Sequence, residues 1–117
     1  MGASGQTTIN FGAFPGVSDV SLAITGQAGI VAGSLVEAWL ALVATADHSA
    51  DEHFADGPLV YAGNIIAGTG FTIYARARDK TPVPDGTIQK LDPGQGEDVG
   101  RTSPMVYGLW TVNWVWV

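Results

Sequence analysis

Phe71-Thr-Ile-Tyr-Ala-Arg-Ala77 decides the fold class. Phe71, Ile73, Ala75 and Ala77 fall on one side of an extended chain. Thr72, Tyr74, Arg76 and Arg78 fall on the other. Successive side chains of a strand point to opposite faces, so this period of two reads as a half-buried β-strand over 71–78. Residues 17–25 show the same pattern: Val20, Leu22 and Ile24 oppose Asp19, Ser21, Ala23 and Thr25. Residues 7–11 and 59–66 are further short apolar runs, and glycine, present 16 times, separates the runs like punctuation. Short strands at such spacing predict a sandwich or barrel.

Residues 34–43 are ambiguous. Leu35, Trp39 and Leu42 stand at helical spacing, whereas strand alternation sets Val36, Ala38, Leu40 and Leu42 against Leu35, Glu37, Trp39 and Val43. Ile30-Val-Ala-Gly-Ser precedes this run and Ile65-Ile-Ala-Gly-Thr precedes the run at 71, 35 residues later. That echo favours a strand. Residues 45–56 are polar and acidic and read as a loop or a short helical turn, with Asp47 or Ser49 as its cap. The final run, 105–116, is apolar at nearly every position. Its even positions carry Trp110, Trp114 and Trp116 beside Val106 and Val112. Strands with one wet face alternate with polar residues, so this strand is expected to be covered on both faces.

The expected fold is therefore all-β: one antiparallel β-sandwich or jelly-roll-like domain over residues 1–117. Strands are placed near 7–11, 17–25, 34–43, 59–66, 71–78 and 105–116. A long loop or arm is expected near 79–104, where Pro82, Pro84 and Pro93 and a Gly-rich stretch interrupt any periodicity.

Composition limits function. Cysteine is absent, so neither disulfides nor thiolate metal sites exist. Net charge is −6, and residues 1–75 hold six acids with no Lys or Arg. Phosphate neutralisation drives nucleic-acid binding, so nucleic acid is not an expected partner. Neither a basic and apolar leader at the first residues nor an uninterrupted membrane span is visible, and position 6 is Gln where a myristoylation signal needs Ser or Thr. Gly94-Gln-Gly-Glu-Asp-Val-Gly lacks the Lys and the strand-to-helix setting of a phosphate loop. Charged residues are 14% of the chain and hydrophobic residues 46%. Globular domains carry about 25% charged residues. A surface this poor in charge is expected to face other protein in part.

Asp47-His48-Ser-Ala-Asp51-Glu52-His53 is the one metal-like cluster. His48, Asp51, Glu52 and His53 are zinc or manganese ligand types, which keeps a small metal-dependent hydrolase as an alternative. The histidines are five apart, not four, so the His-Glu-x-x-His pattern is absent. A solvated turn capped by Asp47 or Ser49 is the preferred reading of these residues, and no metal, cofactor or catalytic residue is assigned. The tryptophans admit sugar stacking as a third class, although core or subunit contact is the commoner use of such a strand.

Four segments together carry a resemblance: Gly-Gln-Ala-Gly-Ile-Val-Ala-Gly-Ser (26–34), Ala-Thr-Ala-Asp-His-Ser-Ala-Asp-Glu-His (44–53), Ala-Gly-Thr-Gly-Phe-Thr-Ile-Tyr-Ala (67–75) and Tyr-Gly-Leu-Trp-Thr-Val-Asn-Trp-Val-Trp (107–116). They resemble the head-decoration, or cement, proteins of tailed bacteriophages. The resemblance implies a non-enzymatic β-sandwich that binds neighbouring major capsid subunits and copies of itself. It implies a homo-oligomer on the capsid surface, assembled in the host bacterial cytoplasm. A tail, neck or fibre component is the competing expectation. In that setting Trp110, Trp114, Trp116 and the arm with Pro82, Pro84 and Pro93 are the expected subunit contacts, with Trp110 serving the core and Trp116 the interface.

Overall fold

A computed structural model describes residues 2–77 and 105–117. The arm expected near 79–104, with Pro82, Pro84 and Pro93, lies outside the described residues. Among the described residues, six strands and one helix follow in the order β1 (Ala3–Asn10), β2 (Asp19–Ile24), β3 (Val36–Leu40), α1 (Ala50–Asp56), β4 (Leu59–Ile66), β5 (Gly70–Arg76) and β6 (Leu109–Trp116). They form two three-stranded antiparallel sheets, β1-β6-β3 and β2-β5-β4. The chain is thus mostly β and sandwich-like.

Alternation sets what each sheet buries. From β5, Phe71, Ile73, Ala75 and, just beyond it, Ala77 point inward. They meet Trp110, Val112 and Trp116 of β6, Ile9 of β1 and Ala38 of β3 in one cluster. Ile73 and Val112 lie at its centre, both fully buried. Burying each such side chain contributes about 1.5–3 kcal/mol. β6 is the central strand of its sheet, which is why its even positions are so apolar.

Residues 34–43 form a strand, shorter than expected. The chain leaves the sheet after Leu40, because the Val43 N–H turns back to the Ala41 carbonyl at 2.9 Å. The echoing segments meet in space, the Gly68 N–H donating to the Ile30 carbonyl at 2.8 Å. The second is a β4–β5 hairpin turn, but the first links strands of different sheets. β6 starts later than the expected 105. Gly108 has φ 79°, a left-handed conformation outside a regular strand, while Val106 makes an isolated bridge to Val17.

Candidate interaction surface and the histidine cluster

Residues 47–53 fold as their local chemistry dictates. Ser49 caps α1: its hydroxyl accepts the Glu52 N–H at 3.1 Å, and Glu52 Oε1 accepts the Ser49 N–H at 2.9 Å. This reciprocal capping box satisfies two donors that a helix start leaves open. The carboxyl of Glu52 is held below the ordinary glutamate value, first by that Ser49 backbone bond and then by the His48 side chain.

The helix carries His53 to the core, where no part of it meets solvent. Its Nδ1 lies 2.7 Å from the Ser49 carbonyl, and its Nε2 lies 3.1 Å from the Thr111 N–H. A carbonyl accepts and an amide donates, so the Nδ1–H tautomer satisfies both. The position has a structural reason. Thr111 points its backbone groups towards β3. Ala41 N–H takes the Thr111 carbonyl at 2.9 Å, but the chain then turns away. The imidazole supplies the acceptor that the missing strand residue would have supplied.

His48 is nearly as enclosed. It stacks on Trp110 at 3.8 Å and 17°, and its Nε2–H donates to the Tyr107 carbonyl at 2.7 Å. The Trp110 indole N–H shares that carbonyl at 3.0 Å. Asp47 Oδ2 accepts the Leu109 N–H at 2.8 Å. Asp47, His48 and His53 thus tie α1 and the turn before it to β6 and the residues leading into it, and both ring nitrogens of His53 are committed to backbone. Among the described residues, no group of three or more His, Cys, Asp or Glu is placed to hold a metal ion.

The three β6 tryptophans share the inner face, as the pattern requires. Trp110 and Trp116 are buried, and the Trp116 indole N–H donates to Gln27 Oε1 at 2.9 Å. Trp114 is half-buried and meets Phe71 edge-on at 5.6 Å. This placement corrects the expectation for Trp116, whose indole is enclosed by its own chain. The outer face of β6 is also partly covered from within. Thr45 Oγ1 donates to the Leu109 carbonyl at 2.8 Å, and Thr111 Oγ1 donates to the Val43 carbonyl at 2.9 Å. The segment after β3 therefore crosses over Leu109 and Thr111.

Beyond that crossing, the described residues leave the outer face of β1-β6-β3 open. Leu35 and Val117 pair through two backbone bonds of 2.9 Å, Glu37 lies opposite Val115, and Trp39 lies opposite Asn113. Leu35 is 72% exposed, Val117 65% and Trp39 44%. Gln6 bonds Asn113 alongside at 2.9 Å. The patch is an apolar stripe with one charge, Glu37. Sequence reasoning placed Leu35, Glu37 and Trp39 together on one side but did not mark Trp39 as a contact residue, because the opposite side was just as apolar.

The outer face of β2-β5-β4 is different. Tyr61 and Tyr74 stand opposite each other, and Arg76 lies over the Tyr61 ring at 5.6 Å with Asp19 as its cross-strand partner. With Ser21 they line a shallow depression of about 540 Å³. No known protein family, curated protein or solved structure matches this chain. Among the described residues no helix is long and apolar enough to cross a membrane.

Proposed function

We propose that this chain is a non-enzymatic structural protein of a bacteriophage virion, of the head-decoration kind. It binds neighbouring major capsid subunits through the outer face of the β1-β6-β3 sheet. The observation that carries this reading is the exposed Leu35, Trp39 and Val117 beside half-buried Val115, on a chain with few charges. Exposed apolar surface marks contact with protein, and tryptophan, here at one end of the stripe, is a residue type enriched at binding hot spots. The histidine–carboxylate cluster supports the same reading from the other side. Its polar atoms hold α1 on β6, so those residues have a structural use that needs no substrate.

The test is co-sedimentation of the purified chain with undecorated shells assembled from the major capsid protein of the same genome. Binding saturates at a fixed ratio to capsid subunits. Trp39→Ser weakens it at least tenfold while the folded circular-dichroism spectrum is kept, since Trp39 lies outside the buried core cluster. Binding to tail tubes but not shells moves the protein to the tail. No binding to either, or binding indifferent to Trp39 and Leu35, overturns the proposal.

A further inference from the structure

Among the described residues the two sheets leave four edge strands, and three carry a feature that discourages pairing with another chain. β2 begins with Asp19. β3 is five residues long, carries Glu37 and packs along β4. β4 is broken by a register shift between Gly63 and Ile66, with Asn64 at φ 55°. Charges, short length and bulges are the usual means by which edges avoid new partners. β1 has none of them. It is eight residues long, Ala-Ser-Gly-Gln-Thr-Thr-Ile-Asn, without charge, proline or bulge.

The free side of β1 follows from its ladder. Phe11 N–H donates to the Gly108 carbonyl at 2.9 Å, so the odd-numbered residues of β1 turn their backbone groups to β6. Pairs in an antiparallel ladder alternate, so the even-numbered residues turn theirs outward. Ser4, Gln6, Thr8 and Asn10 therefore present a row of N–H and C=O groups at the edge, and all four side chains are exposed.

We infer that two copies of this chain join antiparallel through β1, across a two-fold axis at Thr7. This register uses all four outward residues. Ser4 faces Asn10 of the second copy and Gln6 faces Thr8, which puts uncharged polar side chains opposite one another on the outer surface. On the inner surface Gly5 faces Ile9, and Thr7 faces its own mate. The result is a continuous six-stranded sheet, β3-β6-β1-β1-β6-β3. A self-complementary edge fits a second copy better than an unrelated chain, because one strand supplies both halves of the pairing. The net charge of −6 acts against association elsewhere on the surface, whereas β1 adds nothing to that repulsion. The inference concerns self-association alone and stands apart from what the stripe on the outer face binds.

Analytical ultracentrifugation of the full chain tests it. The expected species has twice the 12.1 kDa mass of the chain. Thr8→Pro removes an outward N–H and leaves the β6 ladder intact, a position where an edge strand tolerates proline. It should raise the dimer dissociation constant at least tenfold without loss of the folded circular-dichroism spectrum. Thr8→Lys gives the same result by charge if the proline variant fails to fold. The chain has no cysteine, so Thr7→Cys reports the axis directly. A non-hydrogen-bonded pair brings Cα atoms to about 4.5 Å, within the reach of a disulfide. Mild oxidation should therefore yield covalent dimer from Thr7→Cys and none from Ser4→Cys. A monomer at all concentrations, a dimer indifferent to both Thr8 variants, or cross-linking at residue 4 in place of residue 7 overturns the inference.

Discussion

Replacing His53 by Ala should destabilise the fold by about 3 kcal/mol, through a hydrogen bond that no strand can supply. The substitution removes the acceptor of the Thr111 N–H, which is buried with the imidazole as its partner at 3.1 Å. An orphaned buried donor costs about 1–3 kcal/mol. The Ser49 carbonyl suffers less, since it also accepts the backbone N–H of residue 53 at 3.1 Å. Loss of the ring, which meets Trp110 edge-on at 4.9 Å, adds about 1 kcal/mol in packing. For a chain of this length, 1 kcal/mol moves the melting temperature by about 4 °C, so a drop on the order of 12 °C is expected. His53→Gln, whose amide oxygen can approach the Nε2 position, should recover part of it. Urea unfolding followed by tryptophan fluorescence reads the change directly, with an unaltered slope. A loss below 1 kcal/mol, or a Gln variant no better than Ala, would refute the role given to the ring.

Ser49→Ala should cost about 1 kcal/mol by opening the capping box, read as a lower urea midpoint. Because Glu52 has its folded-state pKa lowered, its carboxylate stabilises the fold above the ordinary glutamate range, and that contribution is lost as pH falls through the folded-state value. Glu52→Gln keeps the acceptor and removes the charge, so it should melt below the parent at pH 7 and level with it near pH 3. A gap that widens in acid would contradict the sign. Trp110→Ala and Trp116→Ala should each destabilise by about 3–5 kcal/mol as core truncations, while Trp39→Ser, at a residue only partly covered by its own chain, should cost about 1–2 kcal/mol in urea stability.

Much of this fold is legible in the sequence, because β2 and β5 are wet on one face and their alternation is clean. Ser49 as a cap is legible too, since the hydroxyl and Glu52 lie three residues apart and act locally. The partner of His53 is not. It exists because β3 ends one residue before Thr111 is fully paired, a consequence of sheet order and register 58 residues away in sequence. The contact stripe is hidden for a related reason. Residues 35–43 are apolar on both sides, so alternation cannot say which side faces the core. Only the register of β3 on β6 puts Ala38 inside and Trp39 outside. Trp116 misleads in the opposite sense. A terminal aromatic on an all-apolar strand suggests a contact residue, yet Gln27 from the β2–β3 connection closes over its indole N–H.

The most direct test of the central claim is an electron cryo-microscopy reconstruction of undecorated shells incubated with the purified chain. Ordered additional density is expected on the outer surface, with the Leu35–Trp39 face of the β1-β6-β3 sheet against capsid subunits and the Tyr61–Tyr74 face towards solvent. Shells that stay bare, or density in which the Trp39 face points to solvent, would contradict it.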